Sequence, residues 1–204
     1  MSNHGATYVG TSGWHYRHWK GPFYPQDLPA ASFLTHYAQR LASAEINASF
    51  YKLPSTETLR SWRDAVPEGF VFAVKASRYL THMKKLKDPR EPLDTLYARL
   101  EALGAMLGPI LFQLPPRWRC NAERLRDFLS HLNRAHRHAF EFRDRSWFDA
   151  SIYNALKEHG AALCIYDLAG EEGVGSANAD HYCSDRHLLG VSRLVLAGDA
   201  MVCH

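Results

Sequence analysis

The chain lacks most of the signatures by which an activity is recognised. It has no Walker phosphate loop, no G-x-G-x-x-G after a strand, no G-x-S-x-G elbow and no H-E-x-x-H helix. Sequence support is therefore missing for P-loop, dinucleotide, serine-hydrolase and zincin chemistry, and no cofactor is specified. Cysteine is scarce: Cys120, Cys164, Cys183 and Cys203 are the only four, and none forms a C-x-x-C pair. That argues against a disulfide framework and fits a reduced, cytoplasmic protein. No run of five or more like charges occurs and the net charge is only +3, so charge alone does not point to nucleic acid, while a small anionic ligand fits. No apolar run is long enough for a membrane span, and the N-terminal MSNHGATYVG lacks the basic start and apolar core of a signal peptide.

What is present is an alternation of short apolar stretches with amphipathic ones, in a length suited to one domain. The most informative stretch is HAFEFRDRSWF, His138 to Phe148. Side chains alternate across a strand, so Glu141 and Arg143 share one face and Phe140 and Phe142 the other. A strand backed by helices turns its aromatics out to them and its charges into a barrel mouth. A buried carboxylate and guanidinium are costly unless they pair with each other or serve a ligand.

Five other strands are expected. TYVGTSGW runs from Thr7 to Trp14 and opens a long loop rich in aromatics, Gly and Pro. AEINASFY runs from Ala44 to Tyr51, with Glu45, Asn47 and Ser49 on one face. FVFAVKAS (Phe70 to Ser77) ends near Lys75, GPILFQLPP carries Gln113 near its end, and AALCIYDLAG carries Asp167. Helical spacing is found from Pro29 to Leu41, with Ser32 as the expected N-cap, and from Ser55 to Val66. It recurs from Leu93 to Leu107, from Asn121 to Leu132 and from Ala150 to His159. The basic stretch from Arg78 to Pro92, with His82, Lys84, Lys85 and Lys87, reads as a loop with at most one helical turn.

Strands alternating with helices at intervals of roughly thirty residues imply right-handed crossovers and a parallel sheet. With no nucleotide fingerprint present, an α/β TIM-type (β/α) barrel is favoured over a doubly wound sheet. About six βα units are recognisable, so the barrel is incomplete against the eight-unit pattern, and two strand edges need covering. Residues 1–170 form the expected barrel domain and 171–204 a divergent tail of it.

The motifs GTSGW with GPFYP, EINASFY, FVFAVKASRYLTH, PILFQLPPRW and FEFRDRSW, in this order and spacing, resemble the YecE-like family, DUF72. The resemblance covers about four fifths of the chain. It implies a TIM-type barrel and candidate site positions, and it supplies no reaction. The family pattern continues into an R-x-H-G motif, whereas Arg186 and His187 are adjacent here. The tail thus reads as that of a truncated or frameshifted member, or as a divergent terminus that caps the open edge.

In parallel α/β folds ligands bind at the C-terminal ends of the strands. That edge would gather Glu141, Glu45, Lys75 and Asp167 as candidate catalytic groups. Arg143, Asn47, Gln113, Trp14, Arg78 and His82 are candidate substrate-binding groups. Two carboxyls beside a lysine and an arginine can keep one acid protonated and one base ionised. The expected function is hydrolase-like or lyase-like chemistry on an anionic, phosphorylated or sugar-like ligand. One alternative is a nucleic-acid-binding or repair-nuclease-like barrel, with Trp14 and Trp19 stacking bases and residues 78–87 contacting phosphates. The other is a non-catalytic remnant with a structural ion-pair network. No metal site is assigned. His181, Cys183, Asp185 and His187 alternate as zinc ligands would on a strand, and His15, His18 and His82 could join Glu141, but neither set has a metal-motif spacing.

Overall fold

A computed structural model describes residues 7–166, together with the backbone of residues 193–197 and 200–203. Six strands follow the chain: β1 Thr7–Ser12, β2 Ser43–Ile46, β3 Val71–Lys75, β4 Leu107–Gln113, β5 His138–Glu141 and β6 Ala161–Tyr166. Each pairs in parallel with the next. The sheet curls into a barrel because parallel strands twist in one sense and their return helices all pack on the outer face. Two more strands, β7 Arg193–Ala197 and β8 Ala200–Cys203, form an antiparallel ribbon. β8 runs parallel to β6 and β7 antiparallel to β1, so both edges of the six-stranded sheet are paired and the ring closes. The TIM-type barrel with six parallel units is therefore observed, the remaining arc being spanned by a ribbon in place of two further βα units.

The helices are α1 Phe33–Ala38, α2 Ala48–Tyr51, α3 Thr56–Asp64, α4 Arg90–Leu100, α5 Ala122–Ser130 and α6 Ala150–Glu158. Three have capped N-termini. Ser55 Oγ accepts from the Thr58 amide, Asn121 Oδ1 from Arg124 and Asp149 Oδ1 from Ser151, each satisfying a donor the helix cannot. Ser32 precedes α1 without a side-chain cap bond, because a 3₁₀ turn over Ala30–Ser32 already leads into the helix. The expected helix over 93–107 starts earlier, at Arg90, and passes at Glu101 into a 3₁₀ segment that kinks at Gly104 with φ +53°.

The alternation of each strand divides the core into two layers. Phe72, Val74, Ile110, Phe112, Phe140 and Phe142 face outward into the helices. Val71, Ala73, Leu111, Ala139 and Cys164 face the interior, with Tyr8 and Ala162 beside them. Gly10 is needed where β1 meets β2, since a Cβ there would lie 2.1 Å from the Ser43 carbonyl oxygen.

One expectation is corrected here. The strand expected over 44–51 stops at Ile46, and Asn47 leads into the short α2. The cause is local: Ser49 Oγ sits 2.7 Å from Ile46 O and 2.6 Å from Lys75 O, and Phe50 N donates to Asn47 O, so side chain and turn take the bonds a longer strand would need. The basic stretch after β3 is, as expected, a loop with one helical turn. It contains a π-helical turn, Tyr79–Met83, followed by Lys85, Leu86 and Asp88 at positive φ, and is fastened by Lys84 N to Tyr79 O and Leu86 N to Leu80 O.

Candidate functional site at the barrel mouth

The inward-facing residues at the C-terminal ends of β1 to β5 are Ser12, Glu45, Lys75, Gln113 and Glu141. Register brings Ser12 beside Glu45 and Gln113 beside Glu141. Glu45 is 3% exposed and Glu141 2%, at depths where a charge needs a partner.

Each carboxyl has a different partner. Arg143, just beyond the end of β5, donates to Glu141 Oε1 from Nε and ion-pairs with it through Nη2. Its guanidinium carbon lies 4.0 Å from the Tyr166 ring centroid, so one face of the cation is covered by an aromatic ring at the end of β6. Cys164 Sγ, one inward position below Tyr166, is 4.0 Å from Glu141 Oε2. Glu45 receives a neutral donor instead: Ser12 Oγ donates to Oε1 at 2.5 Å. Asn47 Nδ2 in turn donates to Ser12 Oγ, and Tyr16 Oη to the Ser12 carbonyl. Burial pushes the Glu45 carboxyl above its ordinary range; Lys75 and the Ser12 hydroxyl pull it back, and the charge of Glu141 adds to the rise. Tyr16 is raised as well, by burial first and then by Glu45.

Lys75 lies between the acids and the basic stretch. Its Nζ is 5.3 Å from the Phe50 ring centroid, and none of the ion pairs among the described residues includes it. Its charge acts on Glu45 on one side and on His82 on the other. The His82 ring packs edge-on to Phe50 at 5.0 Å, and its Nδ1 is engaged by Thr81 Oγ1 at 2.9 Å. Burial, then Lys75, then Arg78 lower its pKa.

Glu45, Asn47, Lys75, Gln113, Glu141 and Arg143 thus occupy the mouth, and Arg78 and His82 its rim beyond β3. Asn47 is there at the position just before α2, already committed to Ser12. Trp14 is not at the mouth. It is 8% exposed and packs edge-on to Trp62 at 5.1 Å and against Phe72 at 5.9 Å, among the outward-facing core. The reason is chain direction: β1 ends at Ser12, and Gly13, at φ +93°, turns the next residue out over α3. Trp19 stacks within the Tyr16, Phe23 and Tyr24 cluster, so the tryptophan platform expected for nucleic acid is not presented. Asp167 and the set His181, Cys183, Asp185 and His187 lie outside the described residues. Among the described residues no three His, Cys, Asp or Glu side chains are grouped to hold a metal, and His15 and His18 lie instead against Phe33, Tyr16 and Trp19. No helix among them is long and apolar enough to cross a membrane.

Sequence reasoning missed Ser12 as a partner of Glu45, the cover of Arg143 by Tyr166, and Phe50. The signal for the first two was available: Ser12 shares the inward parity of Tyr8, and Tyr166 that of Cys164.

An α/β barrel with two buried carboxyls at the C-terminal mouth defines the class of protein. The chain belongs to DUF72, a family described as a protein of unknown function, whose model matches residues 8–193. The UPF0759 protein YunF of Bacillus subtilis (strain 168) is 27% identical over 183 residues, 84% of this chain and 63% of that protein. A DUF72 family protein from Thermotoga maritima MSB8 superposes with a TM-score of 0.72 at 30% identity, over 81% of this chain and 66% of that one. A second, from Enterococcus faecalis V583, gives 0.61 at 21% identity over 78% of this chain and 60% of that one, and shares the fold. The chain therefore spans just under two thirds of the length of these relatives.

Proposed function

We propose that the protein binds a small anionic ligand, phosphorylated or sugar-like, at the barrel mouth and acts on it by acid–base chemistry of the hydrolase or lyase type. The observation that carries this reading is the unlike environment of two buried carboxyls at one mouth: Glu141 faces a permanent cation, Arg143, while burial favours the protonated form of Glu45. In a hydrolysis Glu45 gives its proton to the departing oxygen and Glu141 takes one from the attacking water. In an elimination Glu141 takes the proton from carbon while the bond to the departing oxygen breaks and Glu45 protonates that oxygen. Lys75 and Gln113 supply donors to the ligand. Residues 1–170 carry the site, residues 171–204 belong to the same domain, and a cytoplasmic setting suits a chain with four cysteines and no C-x-x-C pair.

The test is a thermal-shift screen with phosphate esters and sugar phosphates, followed by turnover assays on the ligands that stabilise the fold. Glu141→Gln should still bind the ligand and lose on the order of 10²–10⁴-fold in turnover. Unchanged turnover in that variant removes Glu141 from the mechanism. Selective stabilisation by oligonucleotides that collapses with added salt would replace the small-ligand reading with the nucleic-acid one.

A further inference from the structure

The polar groups at the mouth fall into two halves. Glu141 with Arg143, and Asn47 with Ser12 and Glu45, are bonded to one another. Lys75 Nζ, the Arg78 guanidinium and His82 Nε2 make no hydrogen bond or ion pair among the described residues. They lie on one side of the mouth, where β3 runs into the π-helical turn. Two are permanent cations, and a set of unengaged donors of this kind is complementary to an oxyanion.

The same side carries unusual apolar exposure. Of the four large hydrophobic residues exposed among the described ones, three are Tyr51 at 75%, Met83 at 66% and Tyr79 at 44%. Exposed singly such residues are ordinary; on two segments that touch beside a polar site they offer apolar area that a ligand can cover. Phe50 is the hinge between the segments. Its ring lies 5.1 Å from Tyr51, 5.0 Å from His82 and 5.3 Å from Lys75 Nζ. α2 and the π-helical turn therefore meet at Phe50 and His82, with Tyr51 and Met83 as the next residues outward on each. Tyr79, four residues before Met83, carries Lys84 Nζ at 5.9 Å from its ring centroid.

We propose that the mouth holds a second subsite, so that the preferred ligand is an oxyanion attached to a planar ring, with the anion on Lys75 and Arg78 and the ring on Tyr51, Met83 and Tyr79. The inference rests on the small-anion reading and narrows it: a bare phosphate fills only the cationic part of the site, and a sugar phosphate brings a puckered, hydroxylated ring that covers little of the apolar shelf. A ring bonded to the anion covers apolar area that the protein otherwise leaves in water.

The experiment is calorimetric binding of three probes, inorganic phosphate, ribose 5-phosphate and phenyl phosphate, to the full chain. Phenyl phosphate should bind about tenfold more tightly than the other two. The double variant Tyr51→Ala with Met83→Ala alters only exposed side chains, and circular dichroism checks that it folds. It should lose the preference and keep its affinity for inorganic phosphate. Lys75→Met should weaken all three. Equal affinities for the three probes, each lost in Lys75→Met, would sink the ring subsite and leave the anion site standing. Binding of none of them would sink both. A dimer that Tyr51→Ala with Met83→Ala dissociates, with no ring preference, would make the patch an interface between copies and overturn the proposal.

Discussion

Lowering the pH below 6.5 should destabilise the fold in part through the ring of His138. His138 is 3% exposed and faces outward from β5 against Tyr97 and Phe112. Tyr97 Oη lies 3.1 Å from His138 Nε2 and accepts from the Asn133 amide, so its own proton points to the imidazole, which must be neutral at Nε2 to receive it. Burial, with a lesser push from His136, lowers the pKa to about 4 from the ordinary 6.5. The unfolded chain therefore takes up this proton first. The contribution to stability is complete above pH 6.5 and is lost as the pH falls from 6.5 towards 4. At about 1.4 kcal/mol per pH unit the gap amounts to about 3 kcal/mol, of which roughly 2 kcal/mol is gone by pH 5. The assay is urea unfolding at pH 7.5, 6 and 5 for the native chain and for His138→Gln, whose amide oxygen can accept from Tyr97 without titrating. Glu45, raised in the folded state, titrates with the opposite sign, but it is present in both proteins and cancels in the difference. That difference should shift by about 2 kcal/mol between pH 7.5 and 5. Parallel profiles would refute the neutral, buried state of His138.

Two further variants probe the mouth and the barrel wall. Arg143→Met leaves Glu141 buried beside no cation and should cost ~3–5 kcal/mol in chemical unfolding, with Glu141→Gln added to it restoring most of the loss; a cost below 1 kcal/mol would show that the pair contributes little. Gly10→Ala places a methyl 2.1 Å from a backbone oxygen of β2 and should abolish cooperative unfolding, read by differential scanning calorimetry. A Tm within a few degrees of the native protein would mean that β1 and β2 separate easily.

Much of this structure was legible from alternation alone. The six parallel strands follow from apolar runs bounded by turn residues, and Glu141 was placed at the mouth because Phe140 and Phe142 had to face the helices. What the pattern could not show was where a strand yields to local bonds. AEINASFY alternates well enough for eight residues of strand, but a serine hydroxyl whose one proton is shared between two carbonyls marks its end after Ile46. The same bend delivers Phe50 to the rim, which explains why its partnership with Lys75 and His82 left no trace in the sequence. Trp14 failed for a related reason: one glycine with φ +93° reverses the side on which the next residue stands, and periodicity counts through it.

The difference between the two carboxyls follows from where their strands sit. Glu45 is next to β1, whose contribution at that level is Ser12, and a hydroxyl can donate to either protonation state of its partner. Glu141 is next to β6, where Tyr166 covers one face of Arg143 and holds the guanidinium over the carboxylate. Lys75, on β3, stands between them, adjacent to the strand of Glu45 and one removed from that of Glu141. A lysine bonded to Glu45 would erase the contrast by making both carboxyls the anions of ion pairs. Left unpaired among the described residues and packed on Phe50, it can follow the charge of a ligand instead. Replacing Phe50 by leucine should then loosen ligand binding without touching either carboxyl, because what the ring supplies is the position of the cation.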